Sequence, residues 1–105
     1  MGLSIDKTQS SEGSLIRVVG EVDLYSSPEL RKAILKAVKG AKGDVAIDLE
    51  GVTYIDSSGV ATLVEGLRSA REHGTGFALV TPSPAVMQVL ELARLDSVFE
   101  VQTTP

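Results

Sequence analysis

The sequence predicts a single small α/β domain with a mixed, mostly parallel sheet and the element order β-β-α-β-α-β-α-β. Three observations carry that prediction. Short apolar runs bounded by turn residues alternate along the chain with segments of helical spacing. Two Ser-Pro pairs, Ser27-Pro28 and Ser83-Pro84, each open such a helical segment. A length of 105 residues suffices for one compact core and not for two. After an opening hairpin, alternation of strand and helix implies parallel strands joined by right-handed crossovers.

The elements follow in order. Leu3 to Gln9 reads as a short first strand with Leu3 and Ile5 on one side. Ser10 to Gly13 is polar and reads as a turn, and Ser14 to Val22 is a strand carried by Leu15, Ile16, Val18 and Val19. Gly20-Glu21-Val22-Asp23 ends it. The Ser26-Ser27-Pro28-Glu29 stretch predicts a helix start with Ser27 as N-cap and Pro28 at the first helical position. Leu30, Ala33, Ile34, Ala37 and Val38 continue at helical spacing until Gly40, and Ala41-Lys42-Gly43 links to the next strand.

That strand is marked by Val45, Ala46, Ile47 and Leu49, and a short connection is expected between it and the following helix. Asp48 interrupts it and is expected at its C-terminal end, because an unpaired buried carboxylate is too costly for the core. A central helix runs from about Ser58 to His73, buries Val60, Leu63, Val64 and Leu67, and stops at Gly74. Phe77 to Val80 is a further strand. Ser83 then caps a third helix whose buried stripe is Val86, Met87, Val89, Leu90 and Ala93. Val98 to Val101 gives a final edge strand, and residues 102–105 a tail of the domain spanning 1–105. Val45, Ile47, Leu63, Leu67, Phe77 and Leu90 are expected to form much of the core.

Composition narrows the function. Hydrophobic residues make up 43% and charged residues 23%, as in an ordinary globular domain. Aromatics are only 4%, so the core is aliphatic. A net charge of −4 argues against direct nucleic-acid binding. The chain has no cysteine, which excludes disulfides and thiolate metal sites. The N-terminal run lacks the apolar core of a secretory signal, no run is long enough to span a membrane, and a cytoplasmic protein without membrane insertion is expected. Gly2 does not open a myristoylation motif, since Asp6 stands where Ser or Thr is required.

An enzyme is not expected. Neither a GxGxxG nor a GxxxxGK loop occurs, and the Gly40–Gly43 segment follows a helix rather than a strand. His73 is the one histidine. It lies at the opposite end of the central helix from Ser57 and Ser58, roughly 20 Å away at about 1.5 Å per residue, too far to serve as their base. No metal, cofactor or catalytic residue is therefore assigned. The remaining candidate is Asp56-Ser57-Ser58-Gly59. Asp56 or Ser57 can cap the helix and Gly59 relieves crowding, which alone would make the tetrapeptide structural. Two hydroxyls are present where one cap suffices. The site also follows an apolar strand, at the end where open α/β sheets place their functional groups. Asp23, ending another strand, is expected nearby.

The segments Gly20-Glu21-Val22-Asp23, Ile47-Asp48-Leu49, Tyr54 to Val60 and Ser83-Pro84-Ala85-Val86 together resemble the STAS family over nearly the whole chain. Within it the chain is similar to bacterial anti-sigma factor antagonists. The resemblance implies a STAS-like domain that binds an anti-sigma factor, itself a serine kinase, and so releases sigma factor. It implies that the kinase switches the protein off by phosphorylating Ser58, with Ser57 the lesser candidate, and that a serine phosphatase restores it. Asp23, Asp56, Ser57, Ser58, Gly59 and Val60 would form the partner-binding surface. Val60-Ala61 stands where the family usually has Leu-Gly, so the contact surface there differs. The alternative is a STAS accessory subunit of a lipid-transport ABC transporter, docking the same helix face on its ATPase. For a kinase to reach it, Ser58 is expected to be exposed.

Overall fold

A computed structural model describes residues 2–40 and 43–103. Ala41 and Lys42 of the expected link, and Thr104 and Pro105 of the expected tail, lie outside the described residues. The order is β1 (Leu3–Ser10), β2 (Gly13–Val22), α1 (Ser27–Lys39), β3 (Asp44–Ile55), α2 (Ser57–Glu72), β4 (Phe77–Val80), α3 (Pro84–Leu92) and β5 (Glu100–Gln102). The strands form one sheet in the order β1-β2-β3-β4-β5. β1 pairs antiparallel with β2, and the pairs β2–β3, β3–β4 and β4–β5 are parallel. The mixed α/β sheet is thus the one that the alternation of patterns predicts.

Alternation along β2 and β3 divides the sheet into two faces. Ile16 and Val18 of β2 and Val45, Ile47 and Leu49 of β3 are buried and join one core cluster with Leu30 and Ile34 of α1, Leu63 and Leu67 of α2, and Val86 and Leu90 of α3. All six expected core residues belong to it, Phe77 included. The intervening Leu15, Arg17 and Val19 are exposed, so the other face of the sheet is open around β2. Among the described residues no helix is long and apolar enough to cross a membrane.

Several expectations are corrected. β3 does not stop near Leu49; it continues through Ile55, because β2 also continues to Val22 and supplies its hydrogen-bond partner. The register slips between Arg17 and Val19 and again between Gly20 and Glu21. Gly20 sits there at φ +115°, and a Cβ would stand 2.2 Å from the Gly2 carbonyl oxygen, so only glycine fits. Asp48 therefore lies in mid-strand. It alternates with the buried Ile47 and Leu49, is only half-buried, and accepts a bond from the Glu50 N–H at 3.0 Å. The open face explains why a carboxylate is tolerated there.

The first residue of α1 is Ser27, which is buried; Ser26 is the N-cap, and its hydroxyl does not bond the helix. Ser83 caps α3 as expected, accepting from the Val86 N–H at 3.3 Å. Ala93 is the exposed C-cap of α3 rather than part of its buried stripe, since the helix ends at Leu92. Gln102, expected to begin the tail, is the last residue of edge strand β5, pairing with Val80.

Candidate functional site

The site is built where β2 and β3 end together. Val22 and Ile55 are register partners, and the Asp56 N–H donates to the Val22 carbonyl oxygen at 3.1 Å. Asp23 and Asp56, each one residue beyond its strand, therefore leave the sheet side by side. Sequence reasoning expected this pairing, and the geometry brings it about through the parallel register.

Asp56 is extended, at φ −113° and ψ −172°, and is the N-cap of α2. Its Oδ1 accepts from the Ser58 N–H at 2.9 Å and the Gly59 N–H at 3.2 Å. Its own carbonyl accepts the first helical bond, from the Val60 N–H at 3.0 Å. The cap is thus made by Asp56 without either serine hydroxyl. Among the described residues, neither hydroxyl of the pair makes a hydrogen bond. Ser57 is exposed, but Ser58, expected to be exposed, is half-buried. The reason is its position on the helix: Ser58 stands on the flank between the solvent face of Ser57 and Ala61 and the buried face of Gly59, Thr62 and Leu63. Thr62, one turn on, donates its hydroxyl to the Ser58 carbonyl at 3.1 Å. Gly59 and Val60 are also buried, so they shape the site from beneath and offer a partner little side-chain area.

Asp23 organises the neighbouring turn. Its Oδ1 accepts from the N–H groups of Tyr25 and Ser26, both at 2.9 Å, and from the Ser26 hydroxyl at 3.1 Å. The one Ser26 hydroxyl proton is shared between that oxygen and the Glu21 carbonyl oxygen, 2.8 Å away, and the hydroxyl oxygen accepts from the Asp23 N–H at 2.9 Å. The Ser26 N–H foremost, aided by the Ser26 hydroxyl and the Tyr25 N–H, holds the Asp23 carboxyl below its ordinary range against the opposing effect of desolvation.

This turn displays residues that sequence reasoning missed. Leu24 is 64% exposed and Tyr25 90%, while Tyr54, next to the end of β3, is 50% exposed. The sequence did carry a signal, since two tyrosines in a chain so poor in aromatics flank the strand ends. On the other side, Ser57 borders a shallow groove of about 870 Å³ along α2, lined also by Ala61, Val64, Leu35 and Leu95. Arg31 spans α1 to α2 there, its Nε and Nη2 donating to the two carboxylate oxygens of Glu65 at 2.8 and 2.7 Å. This bidentate bond raises the Arg31 pKa and lowers that of Glu65. His73 is the C-cap of α2, at the far end, with Nδ1 2.8 Å from the Ser69 carbonyl oxygen.

The chain resembles known proteins over nearly its full length. The family model described as "Mlab, STAS domain" matches residues 5–102. The anti-sigma-B factor antagonist of Bacillus subtilis (strain 168) is 26% identical over 102 residues, covering 96% of this chain and 92% of that protein. An anti-sigma factor antagonist from Mycobacterium paratuberculosis superposes with a TM-score of 0.88 at 27% identity, covering 98% of this chain and 87% of the other. The Bacillus cell fate determinant SpoIIAA in its phosphorylated form shares the fold, with a TM-score of 0.77 at 23% identity over 97% of this chain and 92% of that one. A sheet of this topology, with an Asp-Ser-Ser-Gly helix start beside the end of β2 and a family match across all its elements, places the chain in the STAS domain family.

Proposed function

We propose that this chain is an anti-sigma factor antagonist: it captures an anti-sigma factor that is also a serine kinase, frees sigma factor, and is switched off when that kinase phosphorylates Ser58. Ser57 is the lesser acceptor candidate, and a serine phosphatase restores the active form. The role is binding, and no chemistry of its own is assigned to the chain. The observation that carries this reading is the division of labour in the first turn of α2. Asp56 alone satisfies the capping N–H groups, which leaves two hydroxyls without structural work at the end of two strands.

The physics of the switch follows from that placement. A phosphate brings about −2 charge and three acceptor oxygens. The N-terminus of a 16-residue helix accommodates an anion through its dipole, so the fold survives the modification. The partner does not welcome it. A kinase that reaches Ser58 must hold its nucleotide phosphates against the same hydroxyl, and after transfer two anionic groups face each other across the interface. Repulsion and bulk then separate the complex without unfolding either protein.

The test is incubation with ATP and the serine kinase encoded beside a sigma factor in the same genome, followed by mass spectrometry of the peptide holding Ser57 and Ser58. Phosphate on Ser58 supports the reading. Phosphate on Ser57 keeps the mechanism and moves the acceptor. No phosphate, together with retained binding to an ABC-transporter ATPase, makes the chain an accessory subunit of a lipid transporter instead.

A further inference from the structure

We infer that Leu24 and Tyr25 form the apolar anchor by which this protein is held on its kinase, separate from the serine that switches the contact off. The inference rests on the function proposed above. Its basis is the way the pair is displayed. Both side chains are mostly exposed, with Tyr25 at 90%, and lie outside the core cluster. The backbone beneath them is nevertheless fixed: the Tyr25 and Ser26 N–H groups donate to Asp23 Oδ1, the Asp23 N–H donates to the Ser26 hydroxyl oxygen, and the one Ser26 hydroxyl proton lies between Asp23 Oδ1 and the Glu21 carbonyl. A rigid turn carrying an exposed tyrosine beside an exposed leucine loses little conformational entropy on binding, and tyrosine is among the residues enriched at interface hot spots.

The occupant follows from reach. A standard interface covers about 800 Å² on each partner, a patch of roughly 16 Å radius. The turn leaves β2 directly beside the point where α2 begins, because Val22 and Ile55 are paired on strands about 4.8 Å apart. A kinase seated over the half-buried Ser58 hydroxyl therefore covers Leu24 and Tyr25 as well. Its surface must offer an apolar pocket beside its nucleotide site, with the half-exposed Tyr54 at the edge of the contact. Within that footprint the anchor supplies affinity and the serine supplies control.

The experiment compares wild type with Leu24→Ser, Tyr25→Ala and Leu15→Ser in binding to the kinase used above, with ADP present, and in phosphorylation kinetics. Leu15 is the control: it is an exposed leucine of β2, seven residues before Val22 and so roughly 23 Å away. Unchanged thermal midpoints establish that each variant folds. Tyr25→Ala is expected to weaken binding by about 30-fold and Leu24→Ser by about tenfold, with Leu15→Ser unchanged. The loss should fall on KM and leave kcat within about twofold, because neither side chain meets the reacting atoms. Binding of both variants within about twofold of wild type overturns the anchor and leaves the antagonist reading standing. A wild-type protein that neither binds the kinase nor accepts phosphate overturns both.

Discussion

Gly59 lies so close beneath Val22 and Ile55 that a Cβ on it would stand 2.7 Å from Val22 Cγ1 and 2.6 Å from Ile55 Cγ1. The start of α2 therefore rests directly on the ends of the two strands that define the site. Gly59→Ala tests this contact. Overpacking costs roughly 1–3 kcal/mol, which exceeds the ~1 kcal/mol that replacing a helical glycine returns. A lower urea midpoint is expected, together with shifted amide resonances at Ser57 and Ser58. A raised midpoint would mean that Val22 and Ile55 rotate aside and that close approach is not required.

Asp56→Ala removes the one side chain that caps α2 and should destabilise the protein by about 1 kcal/mol. Ser57→Ala, by contrast, should stay within about 0.5 kcal/mol of wild type, because the Ser57 hydroxyl caps nothing. Equilibrium denaturation of the two variants side by side checks the assignment. Equal losses would return Ser57 to the capping role.

The Asp23 turn should respond to acid. Its carboxyl is held below the ordinary value of 3.8 by the Ser26 N–H above all. A depressed folded value means that the stabilisation is complete above the ordinary value and lost as pH falls through the folded one. The Tyr25 and Ser26 amide resonances should therefore hold steady from neutral pH down to about 5 and move only in stronger acid. Asp23→Asn should abolish that titration. Movement centred near neutral pH would assign the turn's ordering to a different group.

Leu63 is fully buried in the core cluster, facing the sheet from the middle of α2. Leu63→Ala should cost on the order of 2–5 kcal/mol. Its denaturation midpoint measures this directly, and an unchanged midpoint would remove Leu63 from the core.

Ser58→Ala should fold normally and bind the anti-sigma partner whether or not ATP is supplied. Ser58→Asp should also fold, since its carboxylate sits at a helix N-terminus, and should bind weakly. One carboxylate supplies less than the ≈ −2 charge of a phosphate, so the loss should be smaller than for the phosphorylated protein. Titration calorimetry of the three forms ranks them. Tight binding by Ser58→Asp and by the phosphoprotein alike would disconnect Ser58 from the switch.

Element order, the mostly parallel sheet and the aliphatic core are legible in the sequence, because each depends on periodicity and punctuation within a short window. Ser83-Pro84 opens α3 and Phe77–Val80 forms β4 as read, and Asp56-Ser57-Ser58-Gly59 begins α2. Tertiary structure decided what depends on partners distant in the chain. β3 runs past Gly51 because β2 remains beside it, and Asp48 is tolerated in mid-strand because one sheet face is open. Ser26, rather than Ser27, precedes α1, its hydroxyl drawn into the Asp23 turn. The choice between Asp56 and Ser57 as cap was open to local rules, which favour both residue types equally. The half-burial of Ser58 and the free display of Leu24 and Tyr25 follow from how α2 and the β2–α1 turn settle on the strand ends, a relationship set by the Val22–Ile55 register rather than by either segment alone.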